Sequence, residues 1–256
     1  MNITRKLTVC AAAATVCLAL PASASAGFFN LPLEGYWPMN EGSGQVVRDW
    51  SGNGNHGQLG ASPTPDSNDP TWVRGVFGLG SGLSFDGIND FVAIPDDPTL
   101  EPSRITVETW FRRSGSPGRV TYLISKGGDR CEAGSYGLYS TETGDLAFYV
   151  YDGTTWVRSP AAAPSVWDGR WHHVAGTFDG KFVKLFVDGK QIGSAPSGGI
   201  SIGYDLPQGD GTIGGYRGSC ALVFEGEMDA VRIWSKALPI SDIADRAREL
   251  LASLRR

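Results

Sequence analysis

Four groups of side chains in this sequence have the types and spacing that chemistry requires. Glu225 and Glu227 stand two apart, so on a strand both carboxylates share one face. Retaining glycoside hydrolysis needs two carboxyl groups about 5–5.5 Å apart, although solvated strand acids share that pattern. The segment Asp49 to Gly57, DWSGNGNHG, carries Asp49, Asn53 and Asn55 in a loop rich in carbonyl and side-chain oxygens. Those are the donors a hard cation such as calcium takes, and also the residues that satisfy ordinary turns. Tyr149 and Tyr151 alternate with Leu146, Phe148 and Val150 and so lie on one strand face, with Trp156 on the strand that follows. Such rings can stack on pyranose faces, and Tyr122, Tyr136, Tyr139 and Arg130 extend the surface. With 8 Trp, 8 Tyr and 11 Phe, the competing role for each ring is filling or covering a sandwich. Last, Cys131 and Cys220 are available to each other.

The adjacent pair His172-His173 cannot converge on one ion from a strand, because neighbouring residues face opposite sides. His56 could lend its backbone carbonyl to the Asp49 loop, but its ring suits calcium poorly. No Ser/His/Asp arrangement and no phosphate-cradling glycine motif stands out.

The N-terminus bears on the cysteines. Arg5-Lys6, the apolar run Leu7 to Leu20 and the small residues Ala24-Ser25-Ala26 form a secretion signal over residues 1–26, with the mature chain beginning at Gly27. Cys10 and Cys17 leave with it and are not preceded by the small residue of a lipid-attachment signal. An exported chain meets an oxidising compartment, so Cys131 and Cys220 are expected as one disulfide, with two free buried thiols as the alternative. No later segment reaches the length needed to span a bilayer. Loss of Arg5 and Lys6 leaves 20 basic against 27 acidic residues, a formal charge of −7. That balance argues against nucleic acid or an anionic membrane as partner.

The elements that must position these groups are strands. Asp179-Gly180 and Asp188-Gly189 are pairs that suit type I′ hairpin turns, so Trp171 to Ala195 is expected as a three-stranded meander. Its middle strand sets Val183, Leu185 and Val187 against Phe182, Lys184 and Phe186. Further strands are expected at Tyr36–Pro38, Gly82–Phe85, Phe91–Ile94, Ile105–Phe111, Tyr122–Lys126, Tyr136–Ser140, Asp145–Tyr151, Trp156–Arg158, Thr212–Gly214 and Phe224–Trp234. Residues 61–70 and 197–211 read as surface loops. A helix over about 239–254 shows Ile243, Ala247, Leu250, Leu251 and Leu254 on one face. With 35 Gly and 15 Pro punctuating strand-sized runs, 230 mature residues fit one all-β antiparallel sandwich over residues 27–256 better than two domains.

YWPMNEGSG, DWSGNGNHG, GLSFDGINDFVAI, ITVETWF, WHHVAGTFDGKFVKLFVDG and FEGEMDAVRIWSKAL follow one another over residues 34–250. In that order they resemble the LamG-like jelly-roll domains of the concanavalin A-like lectin/glucanase superfamily. The resemblance implies a jelly-roll β-sandwich with one concave sheet, and a structural calcium held between Asp49, Asn53 and Asn55 of the early loop and Asp229 of the last strand. Cys131 and Cys220 look like the bridge of an actinobacterial-type branch, and His172-His173 like a structural part of the WHHVA segment. Glu227-Met228-Asp229 looks like the start of the ExDxxE motif of laminarinase-type hydrolases, but the final position is Arg232, which cannot deliver a proton at neutral pH. Without a bulge, Arg232 would also face away from Glu227. The expectation is therefore a secreted extracellular binding domain, not an enzyme, whose partner is a glycan contacted by Tyr149, Tyr151 and Trp156. The alternatives are an extracellular protein-interaction module and, less favoured, a glycoside hydrolase. Nothing in the sequence fixes an oligomeric state.

Overall fold

Among the described residues, runs that alternate apolar and polar side chains pair into antiparallel strands. The computed structural model describes residues 32–128, 134–205, 209–216, 220 and 222–253, with side chains of the final helix described through Glu249. The strands are β1 (Leu33–Trp37), β2 (Val46–Val47), β3 (Gly57–Leu59), β4 (Thr71–Arg74), β5 (Ser81–Asp86), β6 (Val92–Ile94), β7 (Ile105–Arg112) and β8 (Thr121–Lys126). They continue as β9 (Tyr136–Ser140), β10 (Leu146–Tyr151), β11 (Trp156–Arg158), β12 (His172–Phe178), β13 (Phe182–Val187), β14 (Lys190–Pro196), β15 (Gly211–Ile213) and β16 (Glu225–Trp234). A helix, α1 (Ile240–Ser253), closes the chain.

One sheet, A, runs β14-β13-β12-β7-β16-β5-β4 with β1 also paired to β16. The other, B, runs β11-β10-β9-β8-β15-β6-β3-β2. Between them lies one core, to which β7 sends Ile105, Val107 and Phe111, β10 sends Leu146, Phe148 and Val150, and β13 sends Val183, Leu185 and Val187. Burial of each such side chain is worth about 1.5–3 kcal/mol. The sheets approach closely at Gly176 of β12, where a Cβ would stand 2.1 Å from Cγ of Phe148. The expected all-β antiparallel sandwich and C-terminal helix are thus present.

The meander forms as the turn residues require, with one change. Asp188 and Gly189 take φ of 50° and 73°, the two positive values of a type I′ turn. At the other turn only Gly180 is positive, at 89°, and Asp179 is not. Here the Asp179 carboxylate accepts from Lys181 N (2.8 Å) and Phe182 N (2.7 Å), so the turn centres on Gly180-Lys181, one residue later than expected. A glycine in first central position suits a type II′ turn. Gly189 also admits α1, since a Cβ there would lie 2.7 Å from Cα of Ala244. Ile243 and Ala247 of that helix are buried as its apolar stripe predicts. Leu254, like the signal segment 1–26, lies outside the described residues.

Candidate functional site

The outer face of sheet B is built around an absence. Gly137 of β9 sits between rings, where a Cβ would meet Cε1 of Tyr149 at 2.8 Å and Cε1 of Tyr122 at 3.0 Å. Register then sets Tyr139 opposite Tyr122 and opposite Ala147. The Tyr122 and Tyr139 rings stack with centroids 5.5 Å apart, and Tyr149 meets Tyr139 edge-on at 5.3 Å. Tyr216 joins Tyr122 at 5.0 Å. On the neighbouring strands Tyr151 pairs with Trp156 and Tyr149 with Arg158, so β11 presents its indole and guanidinium on this same side. Tyr122, Tyr139, Tyr149, Tyr151, Trp156 and Arg158 line a cavity of about 830 Å³, with Thr141, Glu142 and Asp145 among its polar groups and Tyr216 packed behind Tyr122.

Burial pushes the Tyr122 phenol up to about 12 against the opposing effect of its hydrogen bond with Tyr149, and Tyr149 is raised further by burial. Tyr139 is also raised by burial, although Arg158 works the other way. All three are neutral near pH 7. The cavity can therefore stack and hydrogen-bond, but its phenols hold their protons too tightly to serve as acid or base at that pH.

Of the aromatic residues expected here, Tyr149, Tyr151 and Trp156 line one cavity, as do Tyr122 and Tyr139. Their depths differ: Tyr149, 2% exposed, is its floor and accepts at its hydroxyl from Gly134 N, whereas Trp156 is 52% exposed. Tyr136 is a correction. Strand alternation on β9 sends it into the core beside Leu138, and its hydroxyl donates to Leu100 O at 3.1 Å. Arg130 lies outside the described residues. Arg158 and Tyr216 were not anticipated; Arg158 is legible as the residue two beyond Trp156 on a strand, while Tyr216 carries no local signal.

The early loop and the last strand form two separate groups. Asp49 accepts four hydrogen bonds, at Oδ1 from Tyr36 N and Ser51 N and at Oδ2 from Ser51 Oγ and Asn55 N, all at 2.7–2.9 Å. Those bonds use the acceptor capacity of one carboxylate. Asn53 Nδ2 and Asn55 Nδ2 both donate to Glu34 O at 3.0 Å, and Trp37 Nε1 fixes the loop by donating to Asn55 O at 2.7 Å. Asp229 instead accepts from Val76 N at 2.8 Å, and burial pushes its carboxyl up to about 7 against that bond. Among the described residues no three His, Cys, Asp or Glu side chains gather as a metal set.

A bulge alters the reading of the last strand. Against β7, Glu227 pairs with Arg112, Asp229 with Trp110 and Arg232 with Glu108, so Ala230, at φ 51°, occupies the extra position. Arg232 therefore shares the outward face of Glu227 and Asp229. Glu227 is held by Arg112 through two bonds of 2.7 and 2.8 Å, and Glu225 by Arg113 at 2.9 Å. Arg232 stands 3.7 Å from the fully buried Glu108, which also lies 3.3 Å from His173 and 3.6 Å from Arg246 of α1. Burial alone would raise the Glu108 carboxyl, but His173 and the two guanidiniums outweigh it and hold it below its ordinary value. His172 turns the other way, to Asp188 at 2.8 Å and Asp168 at 3.1 Å, so the two histidines do not converge.

The comparisons with known proteins agree with this architecture. The sequence model described as "Concanavalin A-like lectin/glucanases superfamily" matches residues 86–244. No curated protein matches the sequence. Among solved structures the chain is similar to domain 4 of AbnA, a GH43 extracellular arabinanase from Geobacillus stearothermophilus, in complex with arabinotriose. There the TM-score is 0.64 at 16% identity over 85% of this chain and 98% of that one. It is also similar to the binding domain of Paraclostridial Mosquitocidal Protein 1 (TM-score 0.66, 14% identity, 86% of this chain and 52% of that one). A third is the binding domain of Botulinum neurotoxin DC in complex with rat synaptotagmin II (TM-score 0.63, 11% identity, 86% and 52%). The chain thus spans about half the length of the two toxin domains. At these identities the likeness is one of fold.

Proposed function

Because this chain belongs to the concanavalin A-like lectin/glucanase superfamily, we propose that it is a secreted, non-catalytic domain that binds glycans in the tyrosine-lined cavity of sheet B. The observation that carries the reading is that cavity: about 830 Å³, floored by Tyr122, Tyr139 and Tyr149 and flanked by the open indole of Trp156. Its volume falls within the range of ligand sites, and a pocket with apolar walls and a few polar groups orients a small ligand. A similarly folded arabinanase domain is in complex with arabinotriose, which gives the glycan reading a precedent in fold. The toxin domain in complex with rat synaptotagmin II gives the protein-binding alternative the same kind of precedent.

Export rests on residues 1–26 of the sequence, and no helix among the described residues is long and apolar enough to cross a membrane. The absence of catalysis rests on Glu227 being engaged by Arg112 and on Arg232 standing where an acid would be needed. Calcium enters as a structural ion only. In its favour is the buried Asp229 carboxylate, whose charge a cation would stabilise; against the full ligand set is Asp49, already satisfied by four donors. Asn53 and Asn55 would present oxygens beside Glu34 O if their amides turned over. A Cys131–Cys220 bridge would anchor the cavity wall, which Cys220 lines; Cys131 itself lies outside the described residues.

The test is a glycan-array screen of the mature protein, followed by calorimetry on each hit with the wild type and Trp156→Ala. Loss of about tenfold or more in affinity, the scale of an exposed aromatic anchor, is expected. Silence on the array from a folded protein would move the reading to protein recognition. Release of reducing sugar from β-glucans, abolished in Glu227→Gln, would replace it with catalysis.

A further inference from the structure

A second cavity, of about 600 Å³, opens at the far edge of sheet B beside β2, lined by Val46, Arg48, Asp49, Trp50 and His56. Residues 46–50 alternate exposed and buried, so Val46, Arg48 and Trp50 project to one side while Val47 and Asp49 turn inward. Trp50 is 64% exposed, more than Trp156 in the other cavity. An indole so open to water is an energetic cost unless something covers it.

The side-chain hydrogen-bonding groups left unengaged at this cavity are all donors. His56 Nδ1 accepts from Asp49 N at 3.0 Å, which leaves Nε2 as the ring's donor. The backbone N–H of Arg48 goes to Glu41 Oε1, but its guanidinium, like His56 Nε2–H and Trp50 Nε1–H, has no partner among the described residues. The one carboxylate in the lining, Asp49, is saturated by Tyr36, Ser51 and Asn55 and offers these donors nothing. A cavity with three unengaged donors and no unengaged acceptor calls for an acceptor-rich ligand, and the guanidinium makes an anion the best of these.

We infer that the Trp50 cavity is a binding site for a pyranose carrying an anionic group, the ring stacked on Trp50 and the anion held by Arg48 and His56 Nε2–H. A carboxylate on the ring suits the guanidinium through paired bonds; a sulfate offers the same chemistry. An acidic peptide would meet the cation but makes no use of the flat indole face, so a sugar is the better fit. This site is independent of the tyrosine cavity, and Arg48 is the cation its lining offers to an anion.

The test is titration of the mature protein, at fixed calcium, with trigalacturonic acid, neutral galactotriose, a sulfated galactose trisaccharide and hexaglutamate. Binding is followed by calorimetry and by the Trp50 indole N–H resonance, assigned by its loss in Trp50→Phe. Either anionic sugar is expected to shift that resonance and to bind about tenfold more tightly than galactotriose, with affinity falling as salt rises. Arg48→Gln should remove that advantage, and Trp156→Ala should leave it unchanged. Arg48 and Trp50 have exposed side chains without partners, so both variants should keep the wild-type circular dichroism. Which anionic sugar binds identifies the anion. Absence of binding by both, retention of the advantage in Arg48→Gln, its loss in Trp156→Ala, or equal binding of hexaglutamate would each overturn the assignment. Because the tyrosine cavity is read out by Trp156→Ala alone, either site can fail without the other.

Discussion

Replacing Asp229 by asparagine should stabilise the protein in chelator and remove its response to calcium. Asp229 is 4% exposed and burial lifts its carboxyl from 3.8 to about 7, so folding disfavours its ionised form. Below the unfolded value the group is protonated in both states and costs nothing. As pH rises from about 4 the unfolded chain ionises first, and stability falls until the folded carboxyl also ionises near pH 7. At about 1.4 kcal/mol per pKa unit, the accumulated loss at pH 8 is about 4 kcal/mol, good to a factor of about two. Asparagine keeps the shape and an oxygen to accept from Val76 N, yet carries no charge. Urea unfolding of wild type and Asp229→Asn with chelator should therefore give coincident midpoints near pH 4 and a more stable variant at pH 8. With millimolar calcium, the wild type should recover stability and the variant should not, because a ligand that binds only the folded state stabilises by mass action. A variant no more stable than wild type at pH 8 in chelator would refute the burial argument. An equal gain from calcium in both proteins would remove Asp229 from any calcium site.

Other substitutions probe other parts of the same frame. Glu108→Gln leaves His173, Arg232 and Arg246 without their buried anion, so the loss should be about 3–5 kcal/mol by urea unfolding, with faster amide exchange in α1; wild-type stability would show that the cluster is dispensable. Gly137→Ala puts a methyl against Tyr149 and Tyr122, and glycan affinity at the tyrosine cavity should drop more than in a surface alanine control, as calorimetry would show. Paired Cys131→Ser and Cys220→Ser changes should lower stability by about 4–5 kcal/mol if the bridge closes its loop of about 90 residues, and intact mass under non-reducing conditions checks that the bridge exists.

Much of the fold was legible because its strands are long enough to show a two-residue period. β7, β10, β12 and β13 each declare a core face, and the structure keeps those faces. β2, β3 and β4 escaped because they sit among glycines, prolines and Asx residues that read as turn and loop. Tyr136 has a different cause: on β9 it is separated from Tyr139 by three positions, so one strand cannot show both to the same side, and grouping the two rings overlooks that parity. The bulge at Ala230 was illegible in a different way, since an alanine at positive φ has no signature in residue type, and its effect was to return Arg232 to the side from which simple alternation removed it. The Asp179 turn differed by one residue because a side-chain carboxylate competes for the backbone donors that a two-residue Asp-Gly turn would leave free.

The two outer faces of the sandwich carry different burdens, and this is the physical reason for placing a ligand on sheet B. On sheet A, Glu108 is neutralised by His173, Arg232 and Arg246, and the two guanidiniums also lie 4.3 Å and 4.1 Å from the centroids of Tyr36 and Trp234. Arg246 belongs to α1, so the helix is tied to the sheet by the same charge that the sheet must neutralise. A ligand on this part of the face would have to displace a helix and expose a buried carboxylate, a cost of several kcal/mol before any contact is gained. On sheet B the equivalent positions are neutral rings already packed against one another, with Tyr149 tethered to Gly134 and Trp156 left open. Binding there needs little rearrangement and strips no ion of its partner, so the interaction energy of the rings goes into affinity instead of into opening the site.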